Sequence, residues 1–514
     1  MKATMRSLGL WGLAAALALP SAAAAQEGRR VVTGADARQS VNLTVYNNNL
    51  ALVRETRRVE LPNGTFVLRY EDVAKAVRPE TVYIRDVSDP AAVTVLEQNY
   101  RYDILTPSRL MELYVGEDLT LVRENPATGQ ETRVPANLLS TGSVPQANYG
   151  YYAPYGYGGY GGGYGGGYYA QPSYVDPGSA VYRTEEGITF GDVGRVVFPS
   201  VPDTFVARPT LEWLLRSTGG ARTIEATYLT YGLSWQSDYV LVLAEDEKKG
   251  DLAGWVTLRN DAGITLRDVR LQLVAGDVQI EPQGGGYYGY GYGYGRFGGG
   301  YGGAGFAEEG MFEYHLYTLG RNTDVADREQ KQIQLLGVDG IPMEKKFRLQ
   351  GDSYYFVGEY GQPMENLQVG VFVEFVNAQS AGLGVALPAG VIRVYKADSS
   401  GAQQFIGEDR IQHTPREERV ELRLGNAFDI AAERKQTDFE ILSSNLYETA
   451  WEIKLRNRKT ETVVVEVLEP MAGDWEILEK NHDYVKESAR LVRFDMTCPP
   501  DQEVVLTYRV RTRY

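Results

Sequence analysis

The chain has 514 residues, with 67 Asp and Glu against 52 Lys and Arg, and a formal net charge of −15. That length supports about three domains, each large enough to bury a core without staples. The acidic balance argues against a general nucleic-acid binder, which would carry a basic stripe, and the single cysteine, Cys498, excludes an internal disulfide.

Residues 1–25 read as a secretory signal peptide. Lys2 and Arg6 form a basic head, residues 8–19 an apolar core, and Ser21 to Ala25 a small-x-small pattern, with the cut expected after Ala25. The apolar run is short for a membrane span. No cysteine stands at the junction to carry a lipid anchor. The expected location is therefore the periplasm, the outer cell envelope or the exterior.

Residues 41–46 alternate as a strand, Asn47 to Asn49 make a turn, and residues 50–61 return. Pro62-Asn63-Gly64 predicts a hairpin turn, because Asn-Gly tolerates positive φ, with residues 65–70 as the partner strand. A short helix is predicted over 108–114, opened by Thr106-Pro107. Short strands between tight turns then surround a Gly/Tyr-rich tract at 149–169, which suggests a small barrel-like unit with an inserted loop. Residues 208–215 read as a strand, Gly219-Gly220 as a turn, and 223–229 as the next strand.

The stretch 227–278 is rich in β-branched and aromatic residues separated by turn chemistry, and predicts consecutive antiparallel strands. A second Gly/Tyr tract covers 284–303. Residues 311–317 alternate strongly and are expected to rejoin the same sheet. From about residue 347, strands recur with turn signals every 8–12 residues or so, the spacing of a sandwich. The run Val463 to Leu468 is almost wholly apolar and predicts a strand covered on both faces.

These readings predict an all-β chain. A β domain with a short helix (26–115) and a barrel-like unit carrying the first tract (116–205) precede two antiparallel β-sandwich regions (206–346 and 347–514). The two Gly/Tyr tracts are expected to be disordered loops, since glycine adds chain entropy and removes packing drive.

Three stretches carry a resemblance: Tyr46-Asn47-Asn48-Asn49-Leu50-Ala51-Leu52-Val53-Arg54; Tyr228-Leu229-Thr230-Tyr231-Gly232-Leu233-Ser234-Trp235-Gln236-Ser237-Asp238-Tyr239; and Gly254-Trp255-Val256-Thr257-Leu258 with Leu271-Gln272-Leu273-Val274-Ala275-Gly276-Asp277. Together they resemble a bacterial envelope family known as a domain of unknown function, similar in its C-terminal half to the mucoidy-inhibitor A group. The resemblance covers nearly all of the chain after residue 25. It implies a secreted or periplasmic β-rich protein and brings no catalytic residues. The Gly/Tyr tracts depart from the family core.

No metal-binding His or Cys motif, nucleophile elbow, phosphate loop or EF-hand loop is present. Thus no catalytic, cofactor or metal residue is assigned. His315, His413 and His482 are far apart in sequence, and a shared metal is the less favoured reading. Tyr231, Trp235, Tyr239 and Trp255 form a candidate aromatic surface for stacking sugars or peptides. Sandwich core is the stronger reading, and Gly232 can insert a bulge that re-aims them. Tyr155, Tyr157, Tyr160 and Tyr164 in the first tract, and Tyr290, Tyr292 and Tyr294 in the second, are candidate interaction residues. They offer weak multivalent contacts for self-association, for envelope proteins or for polysaccharide; a tolerated flexible insertion is the plainer reading. The final strand alternates Leu506, Tyr508, Val510, Thr512 and Tyr514, which raises an outer-membrane barrel as a rival. The favoured expectation is a non-enzymatic envelope protein with a structural, binding or assembly role. The main alternative is a carbohydrate-active or other hydrolase.

Overall fold

A computed structural model describes residues 29–102, 105–142, 180–191, 193–201, 206, 208–276, 278–280, 306–471 and 473–514. The expected signal peptide, both Gly/Tyr tracts and the seven candidate tyrosines in them lie outside the described residues. Of the described residues, 67% are strand and 6% helical, so the expected all-β class is what they adopt.

In chain order the strands are β1 (Arg30–Thr33), β2 (Arg38–Tyr46), β3 (Leu50–Glu71), β4 (Tyr83–Asp86) and β5 (Val93–Arg101). Helix α1 (Pro107–Leu113) precedes β6 (Asp118–Glu124), β7 (Glu131–Ser140), β8 (Val181–Thr184), β9 (Gly187–Phe190) and β10 (Arg195–Val197). Next come β11 (Thr210–Tyr231), β12 (Leu233–Leu243), β13 (Lys249–Asn260), β14 (Leu266–Ala275), β15 (Phe306–Met311), β16 (Tyr314–Leu319), β17 (Thr323–Val325) and β18 (Glu329–Pro342). The remainder holds β19 (Glu344–Gln350), β20 (Met364–Val376), β21 (Gly390–Ala397), β22 (Gln403–Ile411), β23 (Arg419–Ser443) and β24 (Leu446–Asn457). It ends with β25 (Val463–Pro470), β26 (Asp474–Lys480), β27 (Tyr484–Ser488), β28 (Leu491–Cys498) and β29 (Glu503–Arg513).

The chain divides into two units: Met1–Ala37, Arg58–Lys75 and Asp86–Thr223; and Arg38–Arg57, Ala76–Arg85 and Ile224–Tyr514. In the first, β10-β6-β7-β8-β9 form an antiparallel sheet. Helix α1 starts where expected: Thr106 caps it by accepting from the Arg109 amide at 3.2 Å, with Pro107 in the first turn. Met111 and Tyr114 from this segment join Leu121, Leu138 and Tyr182 in one core. Elsewhere in this unit β5 pairs with β11, and Trp213 packs edge-on against Tyr70 at 5.7 Å.

The second unit contains three sheet regions. One has the order β15-β16-β14-β2-β3, with β2 and β14 parallel. Another is β18-β13-β12-β21-β22, with β12 and β21 parallel. The third has nine strands in the order β26-β29-β24-β23-β20-β19-β25-β28-β27. Tyr239, Leu241 and Ile392 of the five-stranded sheet pack with Val373, Phe375 and Leu422 of the nine-stranded one. The nine-stranded sheet has its own core around Trp451, Val465, Phe494 and Leu506.

Three expectations are corrected. Pro62-Asn63-Gly64 and Gly219-Gly220 are not turns: β3 and β11 run through them. Gly64, Gly219 and Gly220 do take positive φ, at 94°, 85° and 92°, and an irregularity inside a strand uses that freedom as well as a hairpin does. In the stretch 227–278 only β12 and β13 are consecutive antiparallel partners, while β11 and β14 belong to a different sheet. Gly232 (φ +93°) ends β11 and releases β12 into another sheet, where a Cβ on Gly232 would sit 2.8 Å from the Ala262 Cα. Strand β25 is not covered on both faces: Val463, Val465 and Val467 are buried, while Val464 is 48% exposed.

Candidate functional site

The alternation of β12 decides what each face does. Leu233, Trp235, Ser237, Tyr239, Leu241 and Leu243 point inward, and Ser234, Gln236 and Asp238 point out. On the neighbouring strands the same outward face carries Thr257, Trp255 and Arg259 from β13, and Gln330, Gln332 and Gln334 from β18. Register aligns Gln236 with Thr257 and Gln332, and Asp238 with Trp255 and Gln334. On the other side Asp238 aligns with Val391 and Arg410.

This face is joined by a chain of hydrogen bonds. The Gln332 amide donates to Thr257 Oγ1 at 3.3 Å, and Thr257 donates to Asp238 Oδ2 at 2.8 Å. Gln236 donates to the same oxygen at 3.3 Å. Arg393 donates to Asp238 Oδ1 at 3.1 Å and reaches Glu408 at 3.2 Å. Asp238 is thus a hub that orients three neighbours on three strands, the arrangement that preorganises a polar surface.

Beside the hub lies a hollow of about 530 Å³ whose walls include Gln236, Arg259, Gln330, Arg410, Gln412 and His413. Trp235 forms part of its floor, 3% exposed, donating its indole N–H to the Val274 carbonyl at 3.2 Å and packing against Tyr317. The Ala389 amide donates to His413 Nδ1 at 3.2 Å, so the neutral ring carries its hydrogen on Nε2. No carboxylate lines this hollow among the described residues. Arg259 is held through Nε by Asp261 at 2.5 Å. Arg410 has no carboxylate partner among the described residues, and its side chain is exposed.

His413 also lines a second hollow, of about 400 Å³, together with His315, Glu313 and Thr414. Here His315 Nδ1 is 2.7 Å from Glu308 Oε1, and the other Glu308 oxygen accepts from the Ala386 amide at 3.1 Å. Tyr317 donates to the Ala386 carbonyl at 2.9 Å. Burial first, then the Glu308 charge, raises the pKa of that phenol well above its ordinary value.

The four aromatics singled out in the sequence do not share a surface. Tyr239 is fully buried, donates to the Pro388 carbonyl at 2.8 Å, and burial raises its pKa. Trp235 is buried beside the hollow. Trp255, opposite Asp238, stands on the outer face and is 36% exposed. Tyr231 lies on the far side of Gly232, with the Arg78 guanidinium 6.0 Å from its ring centre. Of the histidines, His315 and His413 line one hollow, whereas His482 is half-buried elsewhere and bonds Asn481 at 2.8 Å. Among the described residues no group of three or more His, Cys, Asp or Glu is placed to hold a metal.

Sequence reasoning passed over Gln236, Arg259, Arg393, Arg410 and the glutamines of β18. One signal was present: Gln330, Gln332 and Gln334 alternate, which puts three amides on one strand face. Comparison of the sequence with family models and with curated proteins returns no match.

Proposed function

We propose that the chain is an exported cell-envelope protein that works by binding, and that it binds a polar polymer along the outer face of its five-stranded sheet. The observation that carries this reading is the ladder Gln332–Thr257–Asp238–Arg393, which fixes donors and acceptors across four strands next to an open hollow. Amides and guanidinium groups suit hydroxyl-rich ligands because each offers two hydrogen bonds in one plane. Trp255 adds an apolar ring face on the same side. The signal-peptide reading supports export.

Retention of the full chain on a panel of envelope polysaccharides tests the binding role, with Q236A/Q332A as the comparison. Loss of both amides is expected to weaken retention roughly tenfold, the effect of one or two net hydrogen bonds. A chain that fractionates with the cytosol, or that no polysaccharide retains, refutes the proposal.

A hydrolytic reading has one observation in its favour. Glu308 orients His315 at the wall of the second hollow, as a carboxylate orients a general base. Release of reducing ends or acyl groups by the wild type, abolished in H315N, would establish it.

A further inference from the structure

We infer that the hollow at the edge of the five-stranded sheet takes an acidic glycan, with Arg410 and Arg259 receiving the carboxylates of its sugar rings. The inference rests on the binding role proposed above and names the ligand class. In a chain with 67 acidic against 52 basic residues, this hollow is lined by two arginines, three glutamines and a histidine, with no carboxylate among the described residues. The nearby acids are already engaged. Asp261 holds Arg259 through Nε, Asp238 takes Arg393, Gln236 and Thr257, and Asp409 accepts the Arg410 and Arg423 amides. Arg259 and Arg393 are thus met by carboxylates of their own, and Arg410 is the cation of the hollow's lining left without one among the described residues.

The Arg410 guanidinium has no carboxylate partner among the described residues, and its planar fork matches a carboxylate bidentately. Around it, Gln236, Gln330 and Gln412 suit the hydroxyls that flank a ring carboxylate. The ligand is a chain and not a lone anion because the polar features are extended. Gln236, Thr257 and Gln332 sit on adjacent strands, spaced about 4.8 Å apart, and a second hollow adjoins at His413. A single small anion would use one end of that run and leave the amides idle.

The test is calorimetric titration of the full chain with a galacturonate hexamer, its methyl ester, and inorganic phosphate. The hexamer is expected to bind. Esterification and R410Q are each expected to weaken it by roughly tenfold or more, R410K less so, with affinity falling as salt rises. An unchanged melting curve for R410Q separates lost contact from lost fold. If ester and acid bind alike and R410Q has no effect, the acidic-glycan inference fails while the binding role stands. If phosphate binds as tightly as the hexamer, the site is a small-anion site and the inference fails. If the hexamer does not bind, the inference fails, and retention on the neutral polysaccharides of the panel decides the binding role separately.

Discussion

Among single residues, Arg434 and Glu469 impose the most on their surroundings. Both side chains are buried, at 1% and 0% exposure, in the core of the nine-stranded sheet. The pair is bidentate, at 2.9 and 2.5 Å, and the guanidinium lies 4.7 Å from the Tyr355 ring centre and 5.5 Å from that of Trp451. Breaking such a pair leaves one uncompensated charge, whereas removing both replaces it with apolar packing. E469Q is therefore expected to cost about 3–5 kcal/mol in denaturant unfolding, and R434M/E469L less than E469Q. A double variant worse than the single would mean that the two side chains do not act as a pair. Cys498 is the opposite case, a reactive group made inert. Burial pushes its thiol from 9.0 up to about 11, which lowers the thiolate population about 100-fold. Native protein should react with an aromatic disulfide reagent at least that much more slowly than unfolded protein, and equal rates would show the thiol to be accessible. A quiet buried thiol could be anticipated from its place before the last strand. The Arg434–Glu469 pair could not, because nothing local in either segment marks which charges turn inward.

At the scale of elements, alternation located most strands and turn chemistry misled where it was strongest. Asn63-Gly64 and Gly219-Gly220 look like turns because glycine supplies positive φ, but the same dihedrals occur inside β3 and β11. Within the first unit they meet: a Cβ on Gly219 would lie 3.1 Å from the Asn63 amide nitrogen, while one on Gly220 meets nothing within 4 Å. G220A should thus carry only the backbone cost, about 1–2 kcal/mol, and G219A clearly more, in the same unfolding measurement. Equal costs would mean that the close approach to Asn63 contributes nothing. Strand pairing was the other illegible quantity. Periodicity tells which side chains share a face, but not that β12 takes β21 as a parallel neighbour. The proposed binding face depends on the order of strands around β12, which is why Trp255 could be read only singly and the glutamines of β18 were passed over.

Over the whole molecule, an ion-pair network spans the middle of the nine-stranded sheet. Glu374 of β20 meets Lys346 at 2.8 Å and Arg348 at 2.6 Å from β19, and Arg419 of β23 at 2.9 Å. Arg348 continues to Glu466 of β25 at 2.6 Å. Burial alone would raise the pKa of Glu374, but its partners, Lys346 foremost, hold it at about 2 against an ordinary 4.5. A carboxylate depressed in the folded state stabilises above its unfolded pKa and loses that contribution as pH falls through the folded value. The wild type should therefore lose stability between about pH 4.5 and pH 2 more steeply than E374Q in acid titrations followed by circular dichroism; parallel curves would sink this. The parallel pairings bear on a different question, the order in which the chain can close. Val41 waits for Val269, and Ser237 for Gly390, so neither sheet is complete until distant sequence has been synthesised. Closing such long loops is slow. A newly made chain therefore remains threadable for longer than one built from local hairpins, a delay that would suit the export proposed above.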